Sequence, residues 1–511
     1  MTEKPVSPDP TGPPRRHVLR GGLGLGLAAL TAGCGSLNLN PLAPKTGFGP
    51  LAMDPAGGNE GLSLPAGYVA TSLARPGEPI GRGADSAAAG ASTDPAARMG
   101  MQHGGVAYFP LEGSRRGLLA ISHGCAGAGG PPETAARLAT AQGVSVLEVA
   151  LEHGQWGVVR PSVHARRITA TTPVTLAGPA AGHPLMKTAA DPEGRTALGT
   201  LANGPGTATP WGTYLCGERD FAAGFTTADQ PTAHERRYGL GRASLLGWHE
   251  SDPRFDTVRH PNEPNRHGWV VEIDPTQPAA RAVKRTALGR GAHGAIRVVV
   301  RGDGKAVVYR AEAAPEEHLY RFVSRGAMAA EDSGTDGSAP GPALLDEGQL
   351  YAAHLNADGS GRWLPLTADQ AQTDAAAGFS DAGTVVIQAR QAADRLGASR
   401  VGACVGMAGG PDVDTLYVAF APTPGQPDGR ILCLREGADP DRFEWSPLAV
   451  PEGLGAGPEC MALDSQGRLW LGGDMPAPIR PARLRGAGTT WVACDGPGSP
   501  ARRFMAAPTG G

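Results

Sequence analysis

Apolar residues come in short runs along most of this chain: 105–110, 118–122, 144–151, 156–158, 269–273, 296–300, 306–309 and 319–323, then 350–355, 384–388, 416–420, 431–434 and 469–471. Most runs are four to eight residues, rich in β-branched and aromatic side chains and bounded by Gly, Pro, Asp or Asn, which is the pattern of β-strands joined by turns. Asp303-Gly304 and Asp358-Gly359 each separate two runs, as a hairpin turn requires. Helical periodicity is scarce. The segment 368–377 is the best helix candidate, with Thr367 placed to cap its first turn and Gly378 to end it. The pattern predicts an all-β fold, a barrel or propeller. Internal repeats are faint: Gly304-Lys305-Ala306-Val307-Val308-Tyr309 and Gly467-Arg468-Leu469-Trp470-Leu471 echo one another after an acidic turn. A propeller with divergent blades produces such echoes, and so does a two-sheet sandwich with insertions; the propeller is the preferred reading.

Composition narrows the class. A length of 511 residues suggests two or three domains, but all-β units exceed that size singly. Gly and Pro make up about a quarter of the chain, yet 41% of residues are hydrophobic, enough to build a core. A net charge of -3, with no basic run interleaved with aromatics, argues against a nucleic-acid partner. Gly-x-Ser-x-Gly, a Walker-type Gly-Lys-Ser/Thr and His-Glu-x-x-His are absent from the sequence.

The N-terminus carries an address. Arg15 and Arg16 precede a weakly apolar stretch over 21–30 that ends in Thr31-Ala32-Gly33-Cys34. That stretch is too short and too glycine-rich to span a bilayer, and its order of basic, apolar and small residues is that of a twin-arginine (Tat) signal peptide over 1–34. The Gly-rich string 21–26, which superficially resembles a nucleotide loop, belongs to it. Ala32-Gly33-Cys34 also fits a lipoprotein cleavage site, in which a lipidated Cys34 would tether the protein to a membrane; cleavage without lipid is the alternative. Residues 35–97 read as a Gly/Ala/Pro-rich tether and irregular segment. The expected location is periplasmic or extracellular.

Several longer strings carry a family resemblance. Thr209-Pro210-Trp211-Gly212-Thr213-Tyr214-Leu215-Cys216-Gly217-Glu218-Arg219-Asp220-Phe221 comes first, then Asp252-Pro253-Arg254-Phe255-Asp256. His260-Pro261-Asn262-Glu263-Pro264-Asn265-Arg266-His267-Gly268-Trp269, ending in Glu272-Ile273-Asp274-Pro275, follows, with Arg285-Thr286-Ala287-Leu288-Gly289-Arg290 and Leu319-Tyr320-Arg321-Phe322 after it. In this order, over about 98–474, the chain resembles PhoX-type alkaline phosphatases. The resemblance implies a six-bladed β-propeller over 98–511 with a mixed iron and calcium centre at its channel mouth that hydrolyses phosphomonoesters. Hard cations held together need several carboxylates, which then lets them neutralise phosphoryl oxygens.

The framework matches and the ligand positions do not. Where the family has acids, this chain has His103-Gly104-Gly105, Ser122-His123-Gly124 and His293-Gly294, and Asn203-Gly204 stands for the family's Asn-Cys. A Gly-Asp-Asp turn reads Ala311-Glu312-Ala313. The family's Asp-Arg-Pro-Glu, with its phosphate-facing Arg and a metal-binding Glu, is Gly402-Ala403-Cys404-Val405, and Pro-Asp-Asn is Pro458-Glu459-Cys460. Glu218, Glu312, Glu459 and Asp474 remain as oxygen donors, a set that would serve one calcium but not the iron; solvated turn acids are the alternative reading. Arg290 and Arg390 are the candidate anion-binding residues, with structural salt bridges as the alternative. Cys125, Cys216, Cys404 and Cys460 lie beside lost ligands, and by the resemblance they would face one another as cross-channel disulfides or a soft-metal site; buried or conventionally paired thiols are the alternative. The expected function is a catalytically impaired binding or scaffolding propeller with an unnamed ligand or protein partner. The alternative is a working phosphomonoesterase with an altered centre.

Overall fold

The computed structural model describes residues 51–52, 63–81, 95–124, 138–241, 244, 246–328, 343–372, 378–410, 412–450, 454, 457–464, 467–474, 489–494 and 502–507. The expectations for Arg15, Arg16, Cys34 and Cys125 lie outside these residues.

The described chain is mostly β-sheet. Short strands β1 (Leu51–Ala52) and β2 (Leu64–Pro65) pair first. The next sheet holds β3 (His103–Glu112), β4 (Arg116–His123), β5 (Gly143–Glu152) and β6 (Gln155–Val158) in that order, with β7 (Arg166–Ile168) paired to β5. A six-stranded sheet follows from β8 (Pro173–Ala177), β9 (Thr196–Leu198), β10 (Asn203–Ala208), β11 (Tyr214–Glu218), β12 (Val270–Ile273) and β13 (Val283–Arg285), in the order β10-β11-β12-β13-β8-β9. β14 (His293–Val300), β15 (Lys305–Glu312), β16 (Leu319–Ala327) and β17 (Gly348–Leu355) form a meander. β18 (Ser360–Pro365) joins it to a second meander, β19 (Cys404–Gly409), β20 (Thr415–Phe420), β21 (Arg430–Glu436) and β22 (Arg442–Leu448), through pairing with β22. β23 (Pro458–Leu463), β24 (Leu469–Asp474), β25 (Thr489–Cys494) and β26 (Arg502–Ala507) make the last sheet.

The apolar runs became strands because both faces of many strands are covered. On β15, Ala306 and Val308 enter one core while Val307 and Tyr309 enter another, so the run reads as continuously apolar rather than alternating. Both Asp-Gly turns close hairpins as expected, with Gly304 at φ +78° and Gly359 at φ +87°, values that disfavour a side chain.

Five short helices are described: α1 (Ala233–Arg237), α2 (Ala343–Asp346), α3 (Ala368–Ala371), α4 (Ala382–Ile387) and α5 (Ala389–Arg395). Thr367 caps α3 as expected, accepting from the Gln370 amide at 3.3 Å. The run 384–388, expected as a strand, is helical instead. Asp381 caps α4 by accepting from the Thr384 amide at 2.7 Å. Val385, Val386 and Ile387 then bury against Leu288 and Ala287, and this packing overrides their β-propensity. Among the described residues no helix is long and apolar enough to cross a membrane.

Candidate functional site

β3, β10, β14, β19 and β23 are each at the edge of their strand order, and they pack side by side in the sequence β3-β10-β14-β19-β23. Each also carries a register shift near its start: His103/Val106, Asn203/Gly206, His293/Ala295, Cys404/Gly406 and Pro458/Cys460. Bulges of this kind bend a strand and re-aim its residues, and they concentrate next to binding sites. Here they surround a cavity of about 940 Å³. Gly104, Gly124, Gly204, Gly294, Val405 and Cys460, all at positions where the sequence reading departs from the phosphatase pattern, line this one space together with Gly105 and Asn203. Their nearness could not be read from separations of up to several hundred residues.

The wall is closed by backbone. A Cβ on Gly105 would fall 2.0 Å from the Gly206 amide nitrogen, one on Gly104 would fall 2.3 Å from the Gly204 carbonyl oxygen, and one on Gly294 would fall 2.1 Å from that of Cys404. Neighbouring edge strands therefore approach so closely that only glycine fits. Gly124 differs, since its nearest neighbour would be the Gln102 Cβ at 3.6 Å.

Glu218, Glu312 and Glu459 stand outside the cavity wall. Glu218 ends β11, opposite Asn203, and is fully buried. Its carboxylate accepts from the amides of Leu201 (2.9 Å), Gly268 (2.8 Å) and Trp269 (3.0 Å), and from Lys284 Nζ at 2.9 Å. Burial would raise its pKa, but Lys284, His267 and the amides outweigh that and hold it well below the usual carboxylate range. Glu312 ends β15, opposite His293, and is clamped by Arg390 Nε (2.9 Å) and Nη2 (2.5 Å), with Arg310 at 3.8 Å. Burial again acts upward, and the arginines drive its pKa down. Glu459 is exposed on β23, and Asp474 ends β24 with its backbone opposite Thr489.

Glu218, Glu312 and Glu459 do not converge on a common site. Among the described residues no three His, Cys, Asp or Glu side chains come together as a metal site, and no carboxylate lines the cavity. Cations of the protein already occupy the neighbourhood of Glu218 and Glu312. The residues present do not fit an iron–calcium centre, which needs several unpaired carboxylate oxygens around each ion.

The two candidate arginines are also committed elsewhere. Arg290 is fully buried, donates to the carbonyls of His267 (2.8 Å) and Pro264 (2.8 Å), and stacks over Tyr238 at 4.0 Å. Arg390 pairs with Glu312 and donates to the Arg237 carbonyl at 2.9 Å. Neither lines the cavity.

The cysteines are dispersed. Cys216 lies in the core between the first two large sheets and accepts from Asn203 Nδ2 at 3.4 Å. Cys404 belongs to a different core, and Cys460 alone of the described three lines the cavity. All three are free thiols, so the expected facing of Cys216, Cys404 and Cys460 is not what the fold produces. Alternate strand residues point to opposite faces, which sends the first two into apolar cores and away from the cavity. Burial pushes the Cys404 thiol up to about 12 and Cys460 up to about 11.

His123 and His293 persist from the family pattern as core residues. His123 pairs with the Ser145 hydroxyl at 2.7 Å and His293 with the Gly268 carbonyl at 3.1 Å; burial lowers them to about 2 and about 3, so both are neutral. One wall residue escaped the sequence reading altogether. Arg297 interrupts the otherwise apolar run of β14, and a lone charge in such a run was the signal that could have exposed it.

The sequence profile described as Alkaline phosphatase PhoX matches residues 46–490. This chain belongs to the PhoX family. The structure of Pseudomonas fluorescens PhoX in complex with vanadate, described as a transition-state analogue, is 32% identical and superimposes with a TM-score of 0.78, covering 91% of this chain and 89% of that one. The fold is therefore PhoX-like. A gluconolactonase from Xanthomonas campestris (14% identity, TM-score 0.26, 81% of this chain and 90% of that one) is far less similar. The periplasmic gluconolactonase of Pseudomonas aeruginosa is comparably remote (9% identity, TM-score 0.27, 79% and 85%). No curated protein matches the chain. The cavity is lined by Gly104, Gly124 and Gly294, positions at which the sequence reading expected acids of the family pattern.

Proposed function

We propose that this PhoX-family protein has lost phosphatase chemistry and works as an exported binding protein. In this reading the sheets are blades of a six-bladed propeller, and the five bulged edge strands are inner strands around its channel. One observation carries the proposal: the cavity where the family motifs meet is lined mainly by glycine and apolar side chains, with Arg219 and Arg297 as its charged groups and no described carboxylate. A phosphoryl group in such a space would find no metal to neutralise it. The backbone contacts at Gly104 and Gly294 support this, since at these two positions a close approach of strands leaves no room for an acid. The twin arginines Arg15 and Arg16 favour Tat export, and Cys34 favours a lipid tether in the periplasm or at the outer surface.

The test is elemental analysis and phosphatase assay of the exported, mature protein, purified without chelator. Neither iron nor calcium at stoichiometric amounts is expected, and p-nitrophenyl phosphate should be hydrolysed at the rate of the buffer, before and after incubation with both metals. Bound iron with calcium and metal-dependent turnover would overturn the reading in favour of an altered but working centre.

A further inference from the structure

Buried arginines in this protein are held by acceptors. Arg290 has two carbonyls, Arg321 has Glu436 at 2.7 Å and Arg166 has three carbonyls. Arg297 is different. It projects from β14 into the cavity wall, half-buried, and among the described residues it makes neither a hydrogen bond nor an ion pair; its Nε is buried without a partner. The guanidinium lies against the backbone of Gly409, where a Cβ would fall 2.7 Å from Nη2. Burial alone acts on its charge, with no acid to offset it. The other arginine of the wall, Arg219, is exposed and already paired with Asp220 at 2.8 Å. An unpaired guanidinium half out of water is costly unless an acceptor meets it, and five N–H donors in a planar fork suit a carboxylate.

The rest of the wall is largely apolar: Val106, Ile296, Met407, Met461 and Leu463 share it with the glycines. Its volume of about 940 Å³ is within the range of roughly 300–1,000 Å³ typical of small-molecule sites. We propose that this cavity binds a small amphipathic monoanion, an apolar chain or ring bearing one carboxylate, with the carboxylate on Arg297. A phosphomonoester dianion is disfavoured because one unmatched positive charge would leave its second negative charge uncompensated. The proposal rests on the reading of the protein as a binding module and supplies its ligand class.

Isothermal titration of the mature, full-length protein with octanoate, 1-octanol and octyl phosphate tests it. Octanoate should bind at least about tenfold more tightly than octanol, the increment of one charge-assisted contact. Arg297→Met should abolish that preference, bringing octanoate to the affinity of octanol or below, and Arg297→Lys should retain part of it. Equal binding of octanoate and octanol, tighter binding of octyl phosphate, or an Arg297→Met variant that keeps the preference would each overturn the proposal. The headgroup comparison on the wild-type protein decides the matter even if the variant does not fold. A p-nitrophenyl phosphate assay on the same preparation separates the two claims: turnover defeats the loss of catalysis, whereas no turnover with no octanoate preference defeats only the ligand class.

Discussion

Gly294 and Cys404 meet backbone to backbone: a Cβ on the glycine would stand 2.1 Å from the carbonyl oxygen of the cysteine. The contact joins the bulged starts of β14 and β19 and closes the wall where the PhoX pattern has a glutamate. Gly294 is thus a packing residue, and an acidic side chain there would force the two strands apart.

Alanine substitutions read this directly. Gly294→Ala and Gly105→Ala should each destabilise the protein by about 3 kcal/mol, the upper range of overpacking, because backbone atoms obstruct the new methyl. Gly124→Ala, with its nearest neighbour at 3.6 Å, should cost less than about 1 kcal/mol. Urea unfolding midpoints measure all three; equal effects at the three sites would contradict the closed wall.

Glu218 and Lys284 form a buried pair, so Lys284→Met leaves a buried carboxylate unmatched and should cost about 3–5 kcal/mol. Glu218 and Asp394 also set the acid limb of stability. Burial raises both pKa values, but Lys284 for the one, and His318 and Arg237 for the other, outweigh it and leave both depressed. A depressed carboxylate adds stability above its unfolded pKa and loses it as pH falls through the folded value. Stability should therefore decline below about pH 4.5, and less steeply in Glu218→Gln. Thermal midpoints across roughly pH 2–7 check the sign.

Arg390 is fixed by Glu312 inside the protein, which separates stability from ligand affinity. Arg390→Ala should cost about 3–5 kcal/mol by leaving Glu312 buried without its main counter-charge. At temperatures where the variant is folded, octanoate affinity should remain within about twofold of wild type. An affinity loss without destabilisation would return Arg390 to the anion-binding role.

Cys216 and Cys404 are free but fully buried, and Cys460 is half-buried at the cavity. Raised thiol pKa values leave little thiolate near neutral pH. Alkylation followed by peptide mass spectrometry should label Cys216 and Cys404 only after denaturation, without a reductant. Labelling that requires reduction first would reveal disulfides and reinstate a cross-linked channel.

By itself, the sequence determined the class of fold and the family. Strand periodicity is local, so runs such as 306–309 and 431–434 became strands wherever both faces met a core. The long Pro-Asn-Glu-Pro-Asn-Arg block identified the family because its side chains build framework: Asn265 and Arg266 bond to backbone carbonyls near β9. Not every local signal survived, and 384–388 became helical because Asp381 caps the turn and the core covers Val385, Val386 and Ile387 around the helix.

What only the tertiary structure decided is the wall. β10, β19 and β23 contain glycine or proline and lack sustained β-branched runs, so they left no clear strand pattern. Packing against neighbouring edges assigned them their conformation. The fates of Glu218, Glu312, Arg290 and Arg390 were likewise set by distant partners: a carboxylate binds a metal or a lysine according to what folding brings beside it. Arg297 lacks such a partner, and that fact exists only once five strand edges, spread over some 360 residues, have closed around it.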